Sequence, residues 1–414
     1  AGPPKTVVVG GGPAGLTTAI ALARRGWTGI QVYDRLAEPP DPDDDTVWGD
    51  TARFYLIGLG GRGQQALREL GVWEEVEKYA TAIRGRKDWP PGAGPDGGVE
   101  RLATHKPYTT MVLARDRLAG VLLRVLRARF PGAVRVRYGV ECAGVAWDAE
   151  GAARLRLQTC AVAPEAAAAR QAPPGAAAAE DEEEEAAEGC DATGEPFEET
   201  TPLLVGADGV ARSVADAIEA DDAATRRGLF SRWRRFRVTR YEDDNVRVYK
   251  TVPMKLPEGW RGDINHSSRS KDGRVNFDAL PADGEGNYCG VLLLREGDPL
   301  AKPGTSPQEL RELFDTVMPQ FSSLITDDVI EAVAKKPPSR LPSFRYVGPR
   351  LHHRGSTVLL GDAIHTVKPY FGLGANSALQ DVSVLAEALD AEKDDVPAAA
   401  RRFSRARAGE AEAL

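Results

Sequence analysis

Residues 359–389, "LLGDAIHTVKPYFGLGANSALQDVSVLAEAL", decide how this chain is read. The segment leaves an apolar strand through Gly361 and Asp362 and passes Pro369. It then enters a helix through Gly372, Leu373, Gly374, Ala375 and Asn376. Residues this small and turn-prone let a backbone lie close against something flat. The start of a helix also offers unpaired N–H groups and the positive end of its dipole, so negative charge is favoured there.

The chain begins with a second glycine-rich turn. "VVVGGGPAGL" places Gly10, Gly12 and Gly15 in G-x-G-x-x-G spacing, after a strand and at the opening of a helix. The glycines permit a tight turn and close approach to a pyrophosphate, which the helix N-terminus then attracts. Asp34 ends the next strand 19 residues after Gly15, where a carboxylate can accept from ribose hydroxyls. Gly10, Gly12, Pro13, Ala14, Gly15, Asp34 and Arg35 are therefore the expected dinucleotide contacts. Strand, helix and strand over residues 5–35 make a βαβ unit and predict an α/β, doubly wound domain. Only one such fingerprint exists, so either the chain binds one dinucleotide or a second visits a site built otherwise.

The length of 414 residues allows two domains, each with its own core. Apolar content of 42% and charged content of 28% are those of an ordinary globular chain. No apolar run reaches the roughly 18–20 residues of a membrane helix. The net charge of −8 comes from residues 161–200, where twelve acids and one base give −11. The remainder is near +3, which gives no general attraction to nucleic acid. Cys142, Cys160, Cys190 and Cys289 show no paired spacing, so neither a zinc site nor a disulfide framework is expected. The chain opens on Ala1 and its first strand follows at once, which fits a processed or trimmed start, in an imported organellar protein or a cytoplasmic one.

Residues 1–83, 105–215 and 340–414 are expected to form the dinucleotide-binding domain. Within it the Ala, Pro and Glu-rich stretch 161–200 reads as a disordered acidic insertion in a hairpin. Residues 84–104 and 216–339 read as a second domain, because segments such as "VRVYKTV" and "YCGVLLLREG" alternate as antiparallel strands do. Ser306 and Glu309 spell a capping box, with Pro307 at the first helical position. The basic run 226–240 and the acidic insertion are the two candidate contacts for a protein partner.

"LLVGADGVARSV" and "VLLGDAIHTVKPYFGLGANSALQD" make a resemblance specific. They are similar to the two later motifs of the single-component FAD-dependent aromatic hydroxylases, the para-hydroxybenzoate hydroxylase superfamily. "ARFYLIGLGGRGQQALRELGV", "AIRGRKDW", "LARDRLAGVLL" and "RRFSRAR" fall in the order of its kynurenine 3-monooxygenase branch. The resemblance implies FAD, with Gly361 and Asp362 at the ribityl chain and Pro369 beside the isoalloxazine. It places Gly372 to Asn376 at the pyrimidine edge, where a reduced, anionic flavin concentrates its charge. Arg53, Arg115 and Asp208 are further implied cofactor contacts. Arg86 would hold a substrate carboxylate, as a guanidinium fork suits one. Tyr108, Tyr370, Phe371 and Asn376 complete the implied substrate set.

The implied reaction is hydroxylation of a small aromatic compound, carboxylated and kynurenine-like substrates included. NAD(P)H reduces FAD, dioxygen forms a flavin hydroperoxide, and one oxygen passes to the ring. No residue is assigned a catalytic role, and no metal is expected. His352, His353 and His365 lack partners at ligand spacing, and His365 reads as structural. Three departures leave alternatives open. Arg212 stands where the family usually has serine and Ala215 where it has arginine; the expected substrate tyrosine is Ala103; the chain stops soon after "RRFSRAR". The alternatives are an epoxidase or oxidase of a larger apolar substrate, or a flavin-binding assembly subunit that does not turn over.

Overall fold

The computed structural model of the chain describes residues 2–48, 55–94, 96–161, 192–226, 235–242, 246–302, 304–369 and 372–414. The opening βαβ unit is present. Strand Thr6–Val9 pairs in parallel with Ile30–Asp34, Val8 facing Val32, across helix Pro13–Arg24. A six-stranded sheet grows from it in the order His352–His353, Thr357–Leu359, Leu203–Gly206, Thr6–Val9, Ile30–Asp34, Val134–Tyr138. All neighbours are parallel except the first pair. Helices cover both faces of such a sheet, which is why "TVVV" and "LLVG" are almost wholly apolar and fully buried. Successive strands lie on opposite sides of Thr6–Val9, so a crevice opens at the carboxyl ends of Thr6–Val9 and Leu203–Gly206.

The second sheet has seven strands, in the order Ser339–Arg340, Arg247–Lys255, Asn287–Arg295, Asn276–Pro281, Ile264–Arg269, Gly85–Trp89, Val99–Leu102. Its pairings are antiparallel except that between Ile264–Arg269 and Gly85–Trp89. One face packs on helices Pro307–Val317 and Asp327–Lys335 through Phe277, Leu292, Phe314 and Phe321. The other carries a small apolar group, Tyr249, Leu293 and Leu341. Its Tyr249 phenol lies within electrostatic reach of Tyr55 and Arg115, which places this face opposite the first domain.

Several expectations need revision. The hairpin flanking the acidic insertion exists, with Ala153–Thr159 antiparallel to Phe197–Thr201, but its second strand begins inside the stretch expected to be disordered. Buried Ala153, Leu155 and Leu157 alternate with exposed arginines, and Phe197 to Thr201 completes their ladder. Residues 162–191 lie outside the described set. A domain boundary at residue 216 would cut helix Ser213–Thr225, which packs on strand Val140–Trp147. Ser306 makes no cap, because its hydroxyl turns to Gln308 Oε1 at 2.8 Å; Pro307 does open the helix. Cys160 is disulfide-bonded, against the expectation of none, while Cys142 and Cys289 are free thiols. Among the described residues no helix is long and apolar enough to cross a membrane.

Candidate cofactor and substrate site

Three loops meet at the carboxyl ends of the parallel strands. In the first, Gly10 has φ +109°, and a Cβ there would stand 2.1 Å from Ala207 O. A Cβ on Gly15 would stand 1.9 Å from Gly10 O. These two glycines are forced by close backbone approach. Gly12 is different: a side chain there would meet nothing within 4 Å, so this side of the turn faces open space. Helix Pro13–Arg24 starts at Gly12 with no side-chain cap and no acid in its first turn, leaving its N–H groups for an anion. Asp34 holds the loop in shape, accepting from Gly11 N at 2.7 Å and Leu36 N at 2.8 Å. Arg35 beside it is exposed.

The second loop follows Leu203–Gly206. Asp208 Oδ2 accepts from Ser213 Oγ at 2.7 Å and Val214 N at 3.2 Å, so this oxygen organises the start of helix Ser213–Thr225. Its Oδ1 is buried without a partner, and burial holds the carboxyl above the usual range.

The third loop is the segment on which the sequence reading rests. Gly361, at φ +62°, lies against Ala14 and Ala378 and donates its N–H to Asp381 Oδ2 at 2.9 Å. Asp381 is itself fully buried, paired with Arg407 at 2.7 Å, with His365 Nε2 3.4 Å away. Arg407 also donates to Ser377 Oγ at 2.9 Å. The C-terminal "RRFSRAR" helix thus fixes the Gly361 turn from behind, and His365 belongs to that support. Asp362 has its carboxyl pushed up by burial, with His365, Arg212 and Arg115 opposing the shift.

Helix Leu373–Ala391 starts at Gly372, φ +61°, again with no side-chain cap and no acid in the first turn. Gly374 stands where a Cβ would be 3.8 Å from Asp362 Oδ1. Asn376 is spent on the fold. Its Nδ2 donates to Gly58 O at 2.8 Å and Gly372 O at 2.6 Å, while Oδ1 accepts from Gly60 N at 2.8 Å and Gly63 N at 3.2 Å. All four hydrogen-bonding positions are used. Asn376 therefore ties the helix start to helix Gly61–Glu69, and Tyr108 packs over the same Gly60–Gly61 turn. Pro369 is exposed beside it.

The structure brings Arg115 to this region: Arg115 N donates to Tyr55 O at 3.0 Å, and its charge acts on Tyr55 and Asp362. Tyr55 is partly buried, and desolvation raises its phenol pKa. Arg86 stays apart from that cluster, exposed, with Nε on Asp88 Oδ1 at 2.8 Å. It nevertheless shares a sheet face with Ser267, Asp278, Val291 and Tyr249, as the strand register requires. Arg53, Tyr370 and Phe371 lie outside the described residues. Tyr55, Tyr249, Asp381 and Arg407 were not singled out from sequence, since nothing in their spacing marks them.

Among the described residues one group could hold a metal: Asp221, Asp222 and His353. The fold joins what sequence separates, since His353 Nε2 lies 2.8 Å from Asp221 Oδ2. Arg354 already takes Asp221, and Arg350 Nη2 and Phe236 N take Asp222, so the cluster clamps helix Ser213–Thr225 to the strand His352–His353 and its flanks.

A family model described as an FAD binding domain matches residues 333–395, the segment containing the third loop and the helix start. Kynurenine 3-monooxygenase of Xanthomonas campestris pv. campestris is 27% identical over 415 residues, covering 100% of this chain and 77% of that protein. The Myxococcus xanthus enzyme of the same name is 26% identical, over 92% of this chain and 70% of that protein. This chain is an FAD-dependent monooxygenase. Solved structures agree in fold. Tetrameric 2-methyl-3-hydroxypyridine-5-carboxylic acid oxygenase superposes with a TM-score of 0.69 at 19% identity, over 100% of this chain and 89% of that one. A probable FAD-dependent monooxygenase from Pseudomonas aeruginosa gives 0.66 at 16%, over 99% and 93%.

The residues present fit FAD. Two uncapped helix starts supply donors for anionic charge, and the Gly12 side of the first turn leaves room for a phosphate. Neither helix carries an acid in its first turn to repel that charge.

Proposed function

We propose that this FAD-dependent monooxygenase hydroxylates a small, carboxylated aromatic compound of the kynurenine type. The observation that carries this reading is that Arg86 shares a sheet face with Tyr249, whose phenol lies within electrostatic reach of Tyr55 and Arg115. When bound, FAD supplies the chemistry that uses NAD(P)H and dioxygen to add one oxygen atom to a ring. The chain's own residues bind and orient. The N–H groups at Leu373 and Gly374 would favour negative charge on a ring edge brought to this helix start. Tyr249, Leu293 and Leu341 offer an apolar wall that excludes water from the reacting ring. Arg86 would exchange its exposed partner Asp88 for a substrate carboxylate, a cheap exchange because exposed ion pairs contribute little.

The test is flavin bleaching by NADPH or NADH in stopped flow, with and without L-kynurenine and simpler aromatic acids. A carboxylated aromatic is expected to speed bleaching at least tenfold and to yield a product one oxygen heavier. If no aromatic acid changes the rate or the product mass, the proposal fails.

A further inference from the structure

We infer that Arg212 is an electrostatic positioning residue for FAD: a buried permanent cation that clamps the Asp362–Thr366 turn and biases the bound flavin toward its reduced, anionic state. The inference rests on FAD occupying the three-loop crevice and goes beyond that by naming a residue outside the contact set.

Arg212 closes the second loop, which sits between the first and third. Gly10 is in van der Waals contact with Ala207 on one side, and Arg212 Nη2 donates to Asp362 O at 2.8 Å on the other. The same nitrogen donates to Thr366 Oγ1. One guanidinium therefore grips both ends of the turn that carries Asp362.

Three features set this arginine apart from an ordinary clamp. It is 2% exposed, among the largest fully buried side chains of the chain. Its backbone adopts φ +51°, the left-handed region that costs a side-chain-bearing residue. And Nε and Nη1 are sealed from solvent with no hydrogen-bond partner. The carboxylates of Asp362, Asp208 and Asp216 attract it only through space, and Arg345 repels it. Burial lowers its pKa to about 10, which leaves it charged at neutral pH.

A buried charge without a paired carboxylate is expensive, and so is an unmet buried donor. FAD brings compensation in its pyrophosphate, and a reduced flavin brings one negative charge more. Because Nε and Nη1 are sealed, the guanidinium acts through the Asp362 carbonyl and through its field. In this enclosed setting the field is weakly screened.

The test uses the FAD-loaded protein with Arg212→Gln, Arg212→Ser and Arg212→Lys, reading the flavin midpoint potential by dye equilibration and FAD affinity by fluorescence. The neutral variants should lose about tenfold of the preference for reduced over oxidised flavin, ~30 mV for a two-electron couple, while Lys keeps it. The shift should persist in high salt. Equal potentials in Gln, Ser and wild type overturn the inference and reduce Arg212 to a structural clamp. Should both neutral variants fail to retain FAD, a Lys variant that retains it at the wild-type potential supports the role of charge; a Lys variant that also fails overturns it. Wild type that takes up no FAD sinks the cofactor reading itself and the inference with it.

Discussion

The two sheets build their halves of the site by different means. The parallel sheet presents backbone: glycines at Gly10, Gly12, Gly15 and Gly361, and the bare starts of two helices. The seven-stranded sheet presents side chains, chosen by which face a residue falls on once seven strands are in register. At Gly10 and Gly15 the backbone site tolerates almost no change, because an added Cβ collides with another main chain. A sheet-face site can exchange side chains one at a time. On the proposed reading the first sheet supplies the rigid half of the site and the second sheet the half whose side chains can be exchanged.

The sharpest way to break this contrast is Gly10→Val. Its Cβ would fall 2.1 Å from Ala207 O at a φ that L-residues avoid. Complete loss of bound flavin is expected, read from the visible spectrum of the purified protein. A yellow Gly10→Val protein would show the first loop to be less constrained than the geometry requires. The next largest effect lies behind the third loop. Arg407→Met leaves Asp381 buried without its arginine partner, which should cost about 3–5 kcal/mol in urea unfolding. Adding Asp381→Leu should recover only part of that loss, since Gly361 N–H then has no acceptor. Full recovery would mean that the network merely fills space.

Much of the first half was legible in the sequence because its reasons are local. Gly10, Gly12 and Gly15 sit within six residues, and the strand before and helix after them are readable by period. Gly361 to Asn376 announced a turn and a helix start for the same reason. Asn376 shows the limit: its place was readable, but its use was not, since Gly58, Gly60 and Gly63 come from a distant strand and helix. Likewise Asp381 and Arg407 are ordinary helix residues until two helices pack. On the second sheet almost nothing was legible beyond the alternation of strands. That Arg86 and Tyr249 share a face follows from four pairings among strands 160 residues apart, which no local pattern encodes.

A smaller effect separates the halves by pH. On the helix-packed face of the second sheet, burial pushes His266 down to about 4, with Trp89 Nε1 donating to its Nδ1 at 3.3 Å. Because the unfolded chain binds this proton more readily, stability rises with pH across the window. Its contribution is complete above the unfolded value of about 6.5 and is lost as pH falls toward 4, at about 1.4 kcal/mol per pH unit at most. His266→Phe should flatten that part of the unfolding profile. His352, also held near 4 by burial, leaves a residual slope. An unchanged slope in His266→Phe would assign the acid sensitivity to the first domain instead.

The smallest expected stability effect belongs to Arg86→Ala, and its smallness is what gives the variant its value. The Arg86–Asp88 pair is exposed, so removing it should change unfolding free energy by about 1 kcal/mol or less. Flavin content should stay at the wild-type level, because no described cofactor-loop residue depends on Arg86. Yet the concentration of carboxylated aromatic needed for half-maximal flavin bleaching should rise at least tenfold, the cost of losing one charge-assisted pair. A neutral aromatic analogue should be unaffected. If both compounds weaken equally, Arg86 shapes the sheet rather than the substrate, and if neither does, the carboxylate is read elsewhere on the face that Ser267 and Asp278 share with it.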